Sequence, residues 1–219
     1  MSVVEIIKDI SLSINKELLH KKNKVMGTRC LELEYYIGEG LESQIFEQTN
    51  EKGTCVIKKW KEPVSMNAIL YQIHTQQKCH DENISPKILE IDLSKKRISM
   101  DKLYCNLLTF FTKMKKKHFA SRLDNIQYQI MDKWKTLDRL NIFHNDPNIC
   151  NIMLDRDFNV KLIDFGFTIT CEKKKGITNM KQNPLAFVKW IKDWNTKNTK
   201  NKINIACFRI IEKTALNSN

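Results

Sequence analysis

The sequence His-Asn-Asp-Pro-Asn-Ile-Cys-Asn occupies residues 144–151, and the sequence Asp-Phe-Gly follows at residues 164–166. Asp164 lies thirteen positions after Asn151. If each residue type had a frequency of roughly 5%, six fixed residues at this spacing would arise by chance about once in 10⁸ starting positions. Polar turns beside two buried strands would explain the polarity of these segments but not the order of their residues. The two segments therefore predict a site that carries chemistry.

The residue types in these segments suit phosphoryl transfer. This reaction depends on positioning and on charge neutralisation, so it requires carboxylate and amide oxygens that converge on Mg²⁺ and on an incoming hydroxyl. We expect Asp146 to act as general base or to orient the hydroxyl. Asn151 and Asp164 are expected to bind Mg²⁺, a hard cation that prefers oxygen ligands. The apolar runs 152–154 and 160–163 have the character of a β-hairpin that would bring the two loops together.

Hydrophobic periodicity divides the rest of the chain into regions of different structure. Residues 1–30 contain one amphipathic helix, residues 31–103 are dominated by short strands, and residues 104–219 are mostly helical. Gly-containing and Asn-containing turns separate the strands. The predicted strands span 31–37, 44–48, 54–60, 87–93 and 97–100, and the predicted helices span 3–19, 65–77, 106–114, 121–140 and 185–194.

Residues 144–151 and 164–166 resemble the His-x-Asp-x-x-x-x-Asn and Asp-Phe-Gly elements of the protein kinase superfamily. The resemblance implies an α+β, bilobal fold that uses ATP and Mg²⁺. It assigns residues 1–30 to an N-terminal helical extension. Residues 31–103 would form an N-lobe with a small antiparallel β-sheet and one main helix, and residues 104–219 a truncated, mainly helical C-lobe.

The N-terminal region is similar to the family's nucleotide-binding elements. Residues 37–45 resemble the glycine-rich loop, with Ser43 in the place of the third glycine, and residues 55–58 resemble the strand that carries the family's lysine. Lys58 lies twenty positions beyond Gly38 and would contact the α- and β-phosphates. The backbone of residues 101–103 would bind adenine. The residues that this resemblance assigns to ATP are Ile37, Gly38, Gly40, Ile45, Lys58, Met100, Asp101 and Leu103.

The chain departs from the family at the acid that normally pairs with the lysine. The helix after Lys58 usually carries a glutamate, but residues 63–78 contain none. Glu62 lies just before this helix, and Glu82 and Glu90 are further alternatives that the sequence does not rank. The departure leaves three interpretations open: the alignment shifts here, another acid orients Lys58, or the enzyme is weakened.

Two other departures concern the C-terminal region. Asn145 replaces the family's usual arginine, which implies that activation-loop phosphorylation does not act through a charge pair at this position. Only 53 residues follow Gly166, and they contain no Ala-Pro-Glu element. The chain therefore resembles compact atypical kinases of the RIO and Bud type. His144 and Trp134 are interpreted as packing residues and not as catalytic ones.

Composition places the chain among intracellular globular proteins. It has 219 residues, 42% hydrophobic and 28% charged, and the seven cysteines form no Cys-x-x-Cys pair. We expect free thiols in a reducing compartment and hence a cytoplasmic location. The first ten residues do not resemble a signal peptide, and no run approaches the ~20 apolar residues of a membrane helix, so no membrane association is expected.

A net charge of +12 is compatible with contact to nucleic acid or to an anionic membrane, and the basic clusters predict acidic partners. The lysines are scattered and form only short clusters at residues 113–117 and 173–175, so a nucleic-acid surface is the less favoured interpretation but is not excluded.

The leading hypothesis is a serine/threonine protein kinase that phosphorylates protein hydroxyls, its own included. Two alternatives remain open: a small-molecule kinase of the aminoglycoside or choline type, and a pseudokinase that binds nucleotide without catalysis. Phe165 and Gly166 argue against the first. Retention of Lys58, Asp146, Asn151 and Asp164 together argues against the second.

Overall fold

The computed structural model describes residues 34–51, 53–113, 122–146 and 148–170. The predicted helices at 3–19 and 185–194 lie outside these residues, as do the lysine cluster at 173–175 and most of the one at 113–117. The described residues form two compact units. The N-terminal unit comprises the described residues within 34–81 and 85–102, and the C-terminal unit comprises those within 82–84 and 103–170.

The N-terminal unit is built on a five-stranded antiparallel sheet with the strand order β1-β2-β3-β5-β4. The expectation of a small antiparallel sheet is confirmed. The 3₁₀ turn Leu93–Lys95 follows β4, and Lys96 then reverses the chain with a φ of 46°. The strands are β1 Glu34–Glu39, β2 Ser43–Asn50, β3 Gly53–Trp60, β4 Ile88–Asp92 and β5 Arg97–Asp101.

Helix α1 covers one face of this sheet and spans Met66–Asp81. Ser65 caps its first turn, because the Oγ atom accepts a hydrogen bond from the backbone N–H of Ala68 at 3.2 Å. The helix runs four residues beyond the predicted end at residue 77. Its apolar side chains form the core of the unit with residues of β3 and β5: Trp60, Ile69, Ile73, Ile98 and Met100.

In its described residues, the C-terminal unit has two helices and two small antiparallel sheets. Helix α2 spans Leu107–Lys113 and helix α3 spans Leu123–Arg139. One sheet has the order β6-β8-β9, and the other pairs β7 with β10. The strands are β6 Cys105–Asn106, β7 Ile142–Phe143, β8 Ile152–Leu154, β9 Val160–Leu162 and β10 Ile169–Thr170.

Helix α3 buries the face that its periodicity predicts. Ile126, Ile130, Trp134 and Leu137 are at most 2% exposed and line one side of the helix at steps of three and four residues. Within the described ranges no helix has the length and apolar character needed to cross a membrane. The helix leads directly into β7 and thereby positions the loop that follows.

Candidate active site

The β8–β9 hairpin brings the two C-terminal motifs together, as predicted. Ile152 pairs with Leu162 in the antiparallel register, and the backbone N–H of Ile163 donates to the carbonyl oxygen of Asn151 at 3.0 Å. Asp164 is the next residue after Ile163, so it lies on the same edge of the hairpin as Asn151. The hairpin turn is fixed by Asp155, whose Oδ1 accepts hydrogen bonds from two backbone N–H groups.

Asp146 and Asn151 are joined directly. The Nδ2 atom of Asn151 donates to Oδ2 of Asp146 at 2.6 Å and to the Asp146 carbonyl oxygen at 3.3 Å. Asn148 shapes the turn between them, because its Oδ1 accepts from the backbone N–H of Cys150 at 2.9 Å and caps the 3₁₀ turn Ile149–Asn151. The structure therefore places Asp146, Asn151 and Asp164 in one connected loop cluster.

The Asp-Phe-Gly segment has one buried and one exposed side chain. Phe165 is 2% exposed, whereas Asp164 is exposed and has a φ of 63°. This left-handed conformation is rare for residues other than glycine, and its cost is tolerated mainly where surrounding structure imposes it. The buried phenylalanine anchors the segment while the carboxylate of Asp164 stays accessible.

His144 packs inside the unit, as the sequence interpretation proposed. It is 1% exposed, and its ring lies between those of Trp134 and Phe165, with centroids 5.7 Å and 5.1 Å away. Its Nε2 atom lies 3.0 Å from the carbonyl oxygen of Ile163. Burial lowers the pKa of His144, and the hydrogen bond to Ile163 partly opposes that effect. A neutral imidazole thus supports both loops.

Asn145 links the two motifs in a way that the sequence did not reveal. Its Nδ2 atom donates to the carbonyl oxygen of Phe167 at 3.0 Å, and its φ is 58°. Asparagine tolerates the left-handed region better than most residues, so the substitution for the family's arginine fits the local backbone. Asn145 therefore connects the loop at Asp146 to the chain after Gly166 through hydrogen bonding instead of charge.

In the N-terminal unit, the predicted phosphate-binding residues form a row across the sheet. Gly38 of β1 lies opposite Ile45 of β2, and Ile45 lies opposite Lys58 of β3. Gly40 follows β1, and its backbone N–H donates to the Ser43 carbonyl oxygen at 2.8 Å. A Cβ atom added to either glycine would meet nothing within 4 Å. The fold of this unit therefore does not itself require glycine at these two positions.

Lys58 is buried, and its ammonium group is held by a glutamine. The Nζ atom donates to Oε1 of Gln72 on α1 at 3.2 Å and lies 5.4 Å from the ring centroid of Trp60. Lys58 itself is 8% exposed. Gln72 thus occupies the helix position that faces the lysine. The sequence did not predict this contact, because only acids were considered as partners of Lys58.

The three acids considered from the sequence lie elsewhere. Glu62 pairs with Lys96 at 2.7 Å, Glu82 pairs with Arg139 at 2.6 Å in the C-terminal unit, and Glu90 is exposed on β4.

The remaining residues assigned to ATP have varied surroundings. Ile37 is 52% exposed on β1, whereas Met100 is 8% exposed and belongs to the core of the N-terminal unit. Asp101 ends β5, and its backbone N–H donates to the Lys87 carbonyl oxygen at 3.0 Å. Leu103 is half-buried at the start of the C-terminal unit. Their roles toward adenine stay predictions.

Comparison with known proteins agrees with these features. The family profile described as "Protein kinase domain" matches residues 31–186. The chain is also 27% identical over 176 residues to "Serine/threonine-protein kinase ppk8" of Schizosaccharomyces pombe, an alignment that covers 75% of this chain and 34% of that kinase. The chain thus spans about a third of the length of this relative. Because the family profile covers well over half of the sequence, the chain belongs to the protein kinase superfamily.

Proposed function

We propose that this protein transfers the γ-phosphoryl group of ATP to serine or threonine hydroxyls of protein substrates, its own chain included. The observation that carries the proposal is the 2.6 Å hydrogen bond between Asn151 and Asp146, beside the hairpin edge that holds Asp164. In this arrangement the Asp146 carboxylate orients the attacking hydroxyl and accepts its proton.

The donor set of the loop cluster fits Mg²⁺. Asn151 uses its amide nitrogen toward Asp146, so its amide oxygen remains as a cation ligand, and Asp164 offers an exposed carboxylate. Within the described residues no group of three or more His, Cys, Asp or Glu side chains is arranged to hold a metal. Mg²⁺ is commonly bound through one or two carboxylates, with substrate phosphates and water completing its shell. Bound Mg²⁺ would neutralise charge on the transferring phosphoryl group.

The N-terminal unit offers a candidate site for the nucleotide phosphates. Lys58 supplies a positive charge on β3, and Gly38 and Gly40 leave open space where side chains would otherwise stand. Glycine allows a ligand to approach the backbone closely, which gives these residues a purpose that the fold does not require. The lysine contacts the α- and β-phosphates in this proposal.

Within the superfamily, we assign the chain to the compact atypical kinases of the RIO and Bud type. Asn145 supports this assignment, because it holds the segment after Gly166 by a hydrogen bond where a phosphate-binding arginine is usual. On this account, the enzyme needs no phosphorylation of that segment to align Asp146 and Asp164.

The cellular setting is part of the proposal. We assign the protein to the cytoplasm, since Cys55, Cys79, Cys105 and Cys150 of the described ranges carry no disulfide. The net charge of +12 favours acidic protein substrates. A test is the ratio of phosphorylation rates on an acidic and a basic peptide of equal length, which should favour the acidic peptide and should shrink as salt is added.

The acceptor class is tested by supplying the purified protein with labelled ATP and Mg²⁺ together with casein, choline or an aminoglycoside. We expect label on casein or on the protein itself and none on the small molecules. Label on choline or the aminoglycoside would replace the proposal with a small-molecule kinase. Nucleotide-dependent thermal stabilisation without any phosphoryl transfer would favour a pseudokinase. That alternative is motivated by Gln72, which contacts Lys58 where the family usually has a glutamate.

A further inference from the structure

Three side chains of the N-terminal unit form a continuous hydrogen-bonded chain from β3 to the glycine-rich segment. Lys58 Nζ donates to Gln72 Oε1 at 3.2 Å, and Gln72 Nε2 donates to Glu42 Oε2 at 2.9 Å. Lys58 and Gln72 are buried, and Glu42 is half-buried. This series of hydrogen bonds begins at an ammonium group and ends at a carboxylate. The bonds therefore polarise one another in the same direction.

The orientation of the Gln72 amide is dictated by its partners. The indole Nε1 of Trp60 also donates to Gln72 Oε1, at 3.1 Å. Trp and Lys side chains are donors only, so the amide must present its oxygen to both of them. The amide NH₂ group then necessarily faces Glu42. The glutamine thus works as an adaptor between two donors on one side and a carboxylate on the other.

A glutamate at position 72 would not fit this arrangement. One of its oxygens would accept from Lys58, but the other would face the Glu42 carboxylate where an N–H donor now stands. Two carboxylates at that distance disfavour each other's ionisation and repel. In this protein the acid therefore lies on the loop, at Glu42, and the helix carries the neutral Gln72 that bridges to it.

Glu42 is itself fixed by the backbone around the glycine-rich segment. Its carbonyl oxygen accepts a hydrogen bond from the backbone N–H of Lys61 at 2.8 Å. The Lys61 ammonium in turn donates to the Gly40 carbonyl oxygen at 3.0 Å and pairs with Glu39 at 3.0 Å. These contacts anchor the segment to the end of β3, so the carboxylate of Glu42 is presented from a defined position.

We propose that Glu42, acting through Gln72, is a positioning residue that supplies negative charge to hold Lys58 in place. Because Glu42 belongs to the glycine-rich segment, this arrangement couples the position of that segment to the position of the lysine. The inference rests on the proposed function in assigning Lys58 to the ATP phosphates. It assigns the orienting charge of the N-terminal unit to a loop residue instead of a helix glutamate.

The first test exchanges the two side chains. We expect Glu42→Gln to lower kcat/KM for ATP about tenfold or more, the effect of losing a hydrogen bond to a charged group, with KM for the protein acceptor unchanged. The double variant Glu42→Gln/Gln72→Glu returns the carboxylate to the helix and the amide to the loop, so it should recover kcat/KM to within about threefold. Glu90→Gln, at an exposed glutamate of the same unit, is the control and should match the wild type.

The results of this exchange discriminate positioning from a structural role. Recovery of thermal stability without recovery of kcat/KM in the double variant would overturn the proposal, as would a Glu42→Gln enzyme indistinguishable from Glu90→Gln.

A second test does not require the protein to be an active kinase. The shift in urea unfolding midpoint caused by Glu42→Gln is measured in the wild-type background and in the Lys58→Met background. If Glu42 acts on the charge of Lys58, the substitution lowers the midpoint in the first background and has little effect in the second. Equal shifts in both backgrounds would overturn the proposal. Absence of phosphoryl transfer together with unequal shifts would overturn the proposed function alone.

Discussion

The amide nitrogen of Asn151 lies 2.6 Å from Oδ2 of Asp146 and donates a hydrogen bond to it. This bond joins a predicted Mg²⁺ ligand to the predicted general base. The backbone N–H of Ile163, the residue before Asp164, also donates to the carbonyl oxygen of Asn151. In the proposed mechanism Asn151 would therefore have two roles: its amide nitrogen would orient Asp146, and its amide oxygen would bind the cation. Loss of this one side chain should affect both.

Asn151→Ala is expected to weaken Mg²⁺ binding strongly. Loss of a residue that only supports a metal ligand typically lowers metal affinity by roughly 10- to 100-fold. Removal of a direct ligand should raise the Mg²⁺ concentration for half-maximal activity by at least this factor. The measurement is the initial rate of phosphoryl transfer as Mg²⁺ is titrated at fixed ATP. Asn125→Ala, at an exposed position on α3, is the matched control. Equal Mg²⁺ requirements in the two variants would show that Asn151 is not a ligand.

His144 should make the protein less stable in mild acid. Burial lowers its pKa below the ordinary 6.5, so the unfolded chain takes up a proton near pH 6.5 while the folded protein does not. The free energy of unfolding should therefore be fully maintained above about pH 6.5 and decrease below it, by at most about 1.4 kcal/mol per pH unit, until the folded-state pKa is reached. Urea unfolding between pH 5 and 7.5 measures this decrease.

The comparison variant is His144→Phe, which keeps an aromatic ring between Trp134 and Phe165 but cannot titrate. It should be less stable at pH 7, because the Ile163 carbonyl loses its partner, by about 1–3 kcal/mol. Its stability should change less than that of the wild type between pH 6.5 and 5. If stability fell in parallel for the two proteins as the pH decreased, the loss of stability would not come from His144.

Ile73→Ala should destabilise the N-terminal unit. Ile73 is 1% exposed in the core formed by α1 and the sheet, and such truncations cost about 2–5 kcal/mol through lost burial and cavity formation. Leu89→Ala removes an aliphatic side chain that is 41% exposed on β4 and should cost about 0.5 kcal/mol or less. Chemical denaturation of both variants gives the comparison, and similar costs would contradict the packing described.

Cys79 should resist thiol reagents in the native protein. Burial raises its pKa to about 12, so almost no thiolate is present at neutral pH, and the side chain is fully buried on α1. Peptide mapping after iodoacetamide treatment should find Cys79 unmodified in buffer and modified in denaturant. Cys150 is half-buried and should react faster, although burial and the Asp146 charge raise its pKa too. Early modification of Cys79 would show that α1 opens readily.

The parts of the fold that the sequence predicted are those where a periodic pattern coincides with burial. Helix α3 has its apolar residues at regular three- and four-residue steps, and these residues are the buried ones. The hairpin of β8 and β9 was likewise predicted, because two short apolar runs flank the turn at Asp155. The Asp146, Asn151 and Asp164 cluster followed from this hairpin, since it joins the two motif loops.

Helix α1 shows where such patterns fail. Its buried face includes Gln72, Thr75 and Gln76, so the apolar period weakens and the predicted end fell short of Asp81. The side-chain amide of Gln76 finds its hydrogen-bond acceptor only in the folded structure, where its Nε2 donates to the Pro86 carbonyl oxygen at 3.3 Å. Gln72, which contacts Lys58 from this polar part of the helix, was not predicted because only acids were considered for that role. The role of this glutamine depends on its contacts with Trp60 and Glu42, which are not visible in the sequence.

The role of Asn145 was also beyond the sequence. Its side chain bonds to a backbone carbonyl twenty-two positions away, and carbonyl positions depend on the backbone conformation and not on residue identity. The replacement of arginine was visible, but the contact that replaces it was not.

The proposed role of Asp146 in phosphoryl transfer is measured by the initial rate of phosphate transfer from labelled ATP to protein, for the wild type and for Asp146→Asn. The amide keeps the shape of the side chain but cannot accept the hydroxyl proton, so the rate should fall by about 10²–10⁴-fold. Asp157→Asn changes an exposed aspartate of the β8–β9 turn and should keep the wild-type rate. Equal rates for Asp146→Asn and Asp157→Asn would refute the proposed role of Asp146, and a wild-type protein that transfers no phosphate to protein would refute the proposed function.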